Sequence, residues 1–338
     1  MEWRKILVWA PNWVGDAVLS LPALRAVRAR YAGARLTVLA RGGLGELYQR
    51  EDCCDQVMRC ETGRRWRLAG ELRREKFDAA ILLPNSFEAA LVAWMAGIPR
   101  RIGYDRDGRG RLLTDRVKPP QPGEIPAHER YYYLELLRRA GMLEALPSIE
   151  VIELSHLAQA REAGEALLRR MGMEGAVVGL SPGAQNSRAK RWMPEGFAEA
   201  AAELAAELGA GVAVFGSGAE RELAESVAEA VRRAGHRVLN LAGETSLGRF
   251  VELAAACRIF LTNDSGAMHV AAAAGVPTVA IFGPTIVEAT GPVSARARVV
   301  REPVECSPCM LRDCPIDHRC MRRIPAQRVA AAARELLK

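Results

Sequence analysis

Between residues 176 and 282, five short apolar runs (176–181, 211–215, 237–241, 258–262 and 277–282) alternate with helical stretches near 195–208, 219–234, 246–256 and 266–274. Each run is short and bounded by turn-forming residues, which suits a buried strand rather than a helix. Strands joined one by one through helices lie parallel with right-handed crossovers, so this rhythm leaves one main solution: an α/β, doubly wound, Rossmann-like parallel sheet. The first half repeats it. A strand at 6–10 leads through a turn into a helix from about Ala17 to Tyr31, and Leu36-Thr37-Val38-Leu39-Ala40 forms the next strand. Ala79 to Leu83 is another strand, ending at Pro84-Asn85-Ser86, which caps a helix through Met95. Residues 100–126, rich in Gly, Pro and Arg, read as a long loop, and a helix carrying Tyr131, Tyr132 and Tyr133 then runs to about Ala140. The expectation is two domains, 1–155 and 156–324, facing one another across a cleft at their strand C-terminal ends, with an amphipathic helix opened by Pro325 closing the chain.

The strand-to-helix junctions carry the polar residues that such a cleft would use. Asn263-Asp264-Ser265-Gly266-Ala267-Met268-His269 follows one strand and opens a helix, which sets a carboxylate, a hydroxyl and free backbone N–H groups around one point. That combination suits the phosphates and sugar hydroxyls of a nucleotide-sugar. His269 lies one turn beyond Ser265, either as a ligand contact or as a core histidine. Asn186, Ser187 and Lys190, in the polar loop after the 176–181 strand, could hold a diphosphate without a metal. Glu220 and Thr245 occupy two further junctions, where Glu220 could accept a hydroxyl hydrogen bond; ordinary capped turns would look the same. In the first half, Asn12-Trp13-Val14-Gly15-Asp16 places a carboxylate at the first junction. Asp16 could accept a proton from an attacking hydroxyl, or it could simply be a helix N-cap.

Charge is uneven: the formal net charge is +7, with most of the excess in the first 150 residues, so an anionic partner is expected there. Arg100, Arg101, Arg106 and Arg109, with Arg111 and Lys118, are candidates for an acceptor-binding surface; a solvated loop is the alternative. Asp105-Arg106-Asp107 matches the D-x-D of metal-dependent transferases only by chance, because that motif belongs to another fold. Without a G-x-G-x-x-G fingerprint, oxidoreductase chemistry is disfavoured, and nucleic-acid binding would leave the junction motifs unexplained. No apolar run is long enough to span a bilayer, and the first residues enter a strand directly, so a cytoplasmic location is expected. Cys306, Cys309, Cys314 and Cys320, with His318 among them, are candidate ligands of a structural zinc; reduced structural or redox-sensitive cysteines are the other reading.

Taken in order along nearly the whole chain, these stretches resemble one family. Asn12-Trp13-Val14-Gly15-Asp16 with Leu21-Pro22-Ala23-Leu24, Leu83-Pro84-Asn85-Ser86-Phe87, Gly97-Ile98-Pro99, Pro182-Gly183-Ala184, Ala189-Lys190-Arg191-Trp192, Leu241-Ala242-Gly243-Glu244-Thr245 and Asn263 to His269 resemble the ADP-heptose:lipopolysaccharide heptosyltransferases, glycosyltransferase family 9, most nearly of the second type. The resemblance implies a GT-B fold, with the donor ADP-heptose held mainly by the C-terminal domain. It implies transfer of L-glycero-D-manno-heptose, with inversion and no cofactor, to the first heptose of a heptose–Kdo–lipid A acceptor at the inner membrane surface. Asp16 would be the base, Lys190 would hold the phosphates and Asp264 the heptose hydroxyls. Ser265 and Gly266 would touch the diphosphate with His269 beside them, and Glu220 and Thr245 would lie near the nucleoside. The resemblance also implies that the last helix packs back on the N-terminal domain. The protein is expected to act as a monomer and without nucleic acid. Transfer to another core position, or nucleotide-sugar binding without transfer, are the rival functions.

Overall fold

The computed structural model describes residues 3–61, 63–185 and 187–338, and the chain divides into two compact units, Met1–Ile149 and Glu150–Lys338. The boundary thus falls a few residues before the expected one.

The first unit has six strands: β1 (Lys5–Trp9), β2 (Arg35–Arg41), β3 (Gln56–Cys60), β4 (Ala79–Leu82), β5 (Arg100–Tyr104) and β6 (Asp115–Val117). Their order in the sheet is β3-β2-β1-β4-β5-β6, and every pairing is parallel. β1 and β4 are covered on both faces, which is why they read as continuous apolar runs. The second unit repeats the topology with β7 (Val177–Ser181), β8 (Gly211–Val214), β9 (Val238–Asn240), β10 (Ile259–Asn263), β11 (Thr278–Phe282) and β12 (Ala297–Arg301), in the order β12-β11-β10-β7-β8-β9 and again all parallel. In each unit the chain starts in the middle of the sheet and later crosses to its other side. The strand order therefore reverses between β1 and β4 and between β7 and β10. Helices leave a hollow outside the strand C-termini at such points, and ligands of open α/β sheets bind there.

Several elements differ from expectation. The loop foreseen over 100–126 contains β5 and β6, and β3 and β12 were not foreseen at all. β3, β6 and β12 lie at sheet edges, where one face stays polar and the apolar run breaks up; β5 begins with two arginines. The helix expected over 17–31 is two, Val14–Leu19 and Leu21–Arg30, divided at Ser20 just before Pro22. Asp16 lies inside the first turn of the former, whose N-cap is Trp13, so the capping alternative is corrected.

The terminal helix, Ala326–Leu337, belongs to the second unit. It packs beside Pro194–Leu208 and over β11 and β12 of the second. Its buried stripe of Ala326, Val329, Ala330 and Ala333 completes the core around Leu204 and Val279. Arg334 adds exposed ion pairs to Glu203 and Glu207, which contribute little. Apolar burial fixes the helix, since enclosing Val329 alone stabilises by about 1.5–3 kcal/mol.

Candidate active site

In the second unit the expected donor loops converge on the β7/β10 reversal. The carboxylate of Asp264, one residue beyond β10 and 4% exposed, accepts a hydrogen bond from Thr285 Oγ1 at 2.8 Å and pairs with Lys190 Nζ at 2.8 Å. Lys190 ends the short turn Arg188–Lys190 and keeps part of its side chain open to solvent. An ammonium fixed on one side by a buried carboxylate and open on the other is suited to a second anion. Asn263 secures the loop behind it: its Oδ1 accepts from Trp192 N at 3.0 Å, and its Nδ2 donates to Pro182 O at 2.8 Å and Gly183 O at 3.3 Å. Ser265 is the N-cap of helix Gly266–Ala273 and shares a 3.3 Å hydrogen bond with Thr262. His269, in that helix, is buried.

Glu220 forms a capping box with Ser217: Oε2 accepts from Ser217 N at 2.9 Å and Ser217 Oγ at 2.8 Å. Its other oxygen, Oε1, is buried and has no hydrogen-bond partner among the described residues. The carboxylate lies against Gly183, where a Cβ would stand 2.2 Å from Oε1. This glycine is needed for close approach rather than for its φ. Thr245 is half-buried in the turn before helix Leu247–Ala255. Asn186 lies outside the described residues.

The Ser187 hydroxyl donates to Arg312 O at 3.3 Å. It belongs to a brace that supports Lys190 from the cysteine-bearing segment. Ala189 N donates to Arg312 O at 2.9 Å, Arg188 pairs with Asp313 at 2.6 Å, and His318 Nε2 lies 2.7 Å from Ala189 O. The expected zinc site finds no support here. Among the described residues no three His, Cys, Asp or Glu side chains are grouped to hold a metal ion. Cys306 and Cys309 are exposed, whereas Cys320 is buried against Gly283 and Met321 in the core. Burial, and after it the neighbouring thiols of Cys306, Cys314 and Cys309, push the Cys320 thiol up to about 11.

In the first unit Asp16 lies at the β1 edge of the reversal, and its charge acts on several groups of one neighbourhood. Glu129, the first residue of helix Glu129–Arg139, is pushed up to about 6 by burial and then by the Asp16 carboxylate, with Arg106 opposing. Burial first, and Asp16 second, also raise the Tyr133 hydroxyl well above its ordinary range. Asn85, at the β4 edge, donates from Nδ2 to Tyr132 Oη at 2.8 Å. Around the C-terminal ends of β1 to β4 a hollow is lined by Trp9, Asn12, Arg41, Glu61, Arg65 and Ser86, among others.

The four expected acceptor arginines fare differently. Arg109 is fully buried; its guanidinium donates to Tyr104 O at 2.8 Å, to Asn85 Oδ1 at 3.3 Å and to Pro84 O. It staples the β4 loop and is corrected to a structural role. Arg100 pairs with Asp115, and Arg101 donates to Leu112 O at 2.7 Å and Ile98 O at 2.5 Å. Arg106 is exposed and bonded to the Tyr132 hydroxyl. The cations that line the hollow, Arg41 and Arg65, escaped the sequence reading. Arg41 ends β2, so its place at a strand C-terminus was the available signal. Thr285 had none, being 21 positions from Asp264.

The chain matches the model of glycosyltransferase family 9 (heptosyltransferase) over residues 65–319. It is 36% identical over 309 residues, 88% of either protein, to lipopolysaccharide heptosyltransferase 2 of Salmonella typhimurium, and equally so to that of Escherichia coli K12. The solved structure of the E. coli ADP-heptose lps heptosyltransferase II superposes with a TM-score of 0.83 over 98% of each chain, at 32% identity.

Proposed function

The chain belongs to glycosyltransferase family 9, the heptosyltransferases, and from that premise we propose that it transfers L-glycero-D-manno-heptose from ADP-heptose to the first heptose of the lipopolysaccharide inner core. The observation that carries this reading is the Lys190–Asp264–Thr285 arrangement at the β7/β10 reversal, in a chain similar throughout its length to heptosyltransferases of the second type. In the proposed reaction, Asp16 removes the proton from the acceptor hydroxyl as its oxygen attacks the anomeric carbon. The bond to the ADP oxygen breaks on the opposite face, which inverts the configuration. Lys190 and the N–H groups at Ser265 and Gly266 take up the charge that develops on the departing diphosphate, without a catalytic metal. Asp264, while orienting Lys190, accepts from heptose hydroxyls. Glu220 Oε1, buried and without a partner among the described residues, accepts from a ribose hydroxyl, with Thr245 in the same nucleoside pocket. The second unit takes the donor. The first takes the acceptor, whose anionic groups are matched by Arg41 and Arg65.

Transfer from ADP-heptose to mono-heptosylated Kdo–lipid A, with the non-heptosylated acceptor alongside and chelator present, tests the whole reading. Product only from the mono-heptosylated acceptor is expected, at a rate that chelator does not change. Product from the other acceptor would reassign the core position, and loss of product with chelator would end the metal-free mechanism.

Gly183→Ala provides a separate test of the nucleoside contact. The new methyl must displace the Glu220 carboxylate, leaving a ribose hydroxyl without its acceptor. ADP affinity measured by calorimetry is expected to fall by about tenfold, the equivalent of roughly 1–2 kcal/mol for a lost buried hydrogen bond. Unchanged affinity in a folded variant would remove Glu220 from the donor site.

A further inference from the structure

Helices Arg65–Glu75 and Phe87–Met95 lie side by side on one face of the first sheet, sharing a core of Leu68, Leu72, Ala89 and Val92. Their first turns meet around the hollow that both Arg65 and Glu88 line, and their last turns are joined by a hydrogen bond from Arg73 to Met95 O. The outer face of this pair is unusual. Trp66 is 78% exposed, Trp94 54% and Phe87 48%. Phe87, Leu91 and Trp94 recur at i, i+4 and i+7, which puts them on one stripe of the helix, with Leu91 half-buried between the two exposed rings. A stripe at this spacing would ordinarily face a core; here the core side of the helix is occupied by Ala89, Ala90, Val92 and Ala93.

Cations flank these rings. Residues 64–76 carry Arg64, Arg65, Arg67, Arg73, Arg74 and Lys76, all exposed, against the two acids Glu71 and Glu75. Glu61 and Glu71 offset Arg64 and Arg67 through surface ion pairs, leaving a net positive face. Large aromatic rings set among arginines match the layered chemistry of a bilayer surface. Indole and phenyl rings settle at the level of the acyl boundary, while guanidinium groups meet lipid phosphates above them. No helix among the described residues is long and apolar enough to cross a membrane, so contact through these helices would be made at the surface.

We propose that the outer face of helices Arg65–Glu75 and Phe87–Met95 docks the protein on an anionic phospholipid bilayer, with Trp66, Phe87 and Trp94 entering the interface and the surrounding arginines on phosphate groups. This rests on the reading of the acceptor as a membrane lipid, and it specifies which face turns to the membrane. It also brings the hollow lined by Arg41 and Arg65 next to the lipid surface.

Flotation of the full chain with vesicles of phosphatidylcholine alone, or mixed equally with phosphatidylglycerol, tests it. Strong binding to the anionic vesicles is expected, weakened at high salt, with little binding to phosphatidylcholine. The double variant Trp66→Ser, Trp94→Ser is expected to lose binding by tenfold or more while keeping its circular dichroism and melting temperature, since both rings are exposed. Wild type that stays off anionic vesicles, or a folded double variant that floats as well as wild type, would overturn the proposal. So would concentration-dependent dimerisation abolished by the same variant without lipid binding, which would give the face to a second copy of the chain. Transfer to a lipid-free acceptor, assayed on the same preparations, reports the heptosyltransferase reading independently.

Discussion

Asp16→Asn is expected to bind ADP-heptose as the wild type does and to lose turnover by about three to four orders of magnitude. General-base removal of a hydroxyl proton contributes about 10²–10⁴, and the amide cannot perform it, while the donor contacts of the second unit are untouched. Calorimetry with ADP and single-turnover transfer would separate the two effects. Normal turnover would eliminate Asp16 as the base. The same substitution carries a second expectation independent of catalysis. Burial, and after it the Asp16 carboxylate, holds Glu129 at about 6 against an ordinary 4.5. Between those values the folded protein keeps a proton on Glu129 that the unfolded chain has released. Stability from this group is therefore lost as pH rises through the window, by about 2 kcal/mol in all. Removing the Asp16 charge should lower the Glu129 value and shrink that loss, without abolishing it, because burial remains. Urea midpoints on either side of the window would show this, and an identical pH dependence in both proteins would disprove the coupling.

Lys190→Ala is expected to reduce kcat/KM by about 10²–10³, the cost of removing one preorganised group from a developing oxyanion, and to weaken ADP-heptose binding in parallel. Loss in both ground state and rate distinguishes it from Asp16→Asn. A structural consequence follows from the pair itself. Asp264 would keep the Thr285 hydrogen bond but lose the Lys190 ammonium, leaving its carboxylate uncompensated at 4% exposure. Breaking a buried pair by deleting one partner costs about 3–5 kcal/mol at full burial; Lys190, with a side chain 28% exposed, places this pair toward the lower end. Lys190→Arg should recover stability better than activity, because the larger planar guanidinium cannot occupy an ammonium's position between two anions. Unchanged donor affinity in Lys190→Ala would take Lys190 out of the diphosphate site.

The polar junctions were legible in the chain because a parallel α/β sheet fixes where they go. Once β7 and β10 are recognised as adjacent inner strands, the residues that follow them, 182–190 and 264–266, must emerge at one edge. The Ser86 cap was similarly local: its hydroxyl accepts from Ala89 N three residues on, a relation visible in sequence. What escaped is what depends on distant segments. Arg109 sits in a loop rich in arginine and looks solvated, yet its guanidinium is consumed by carbonyls from residues 84 and 104. The cysteine spacing suggested a metal, but local spacing does not determine where Cys320 points once the 319–322 turn is drawn into the core.

Period and punctuation alone determined the two α/β units, the junctions that bear Asp16, Lys190 and Asp264, and the basic character of the first half, because apolar periodicity and turn chemistry act over a few residues. Only the tertiary structure decided that Thr285 completes the Asp264 site, that residues 312–318 brace the Lys190 turn and that the terminal helix fills the second core. These contacts join positions up to about 130 apart in the chain, where the choice of partner is set by which apolar faces remain to be covered after the sheets have formed.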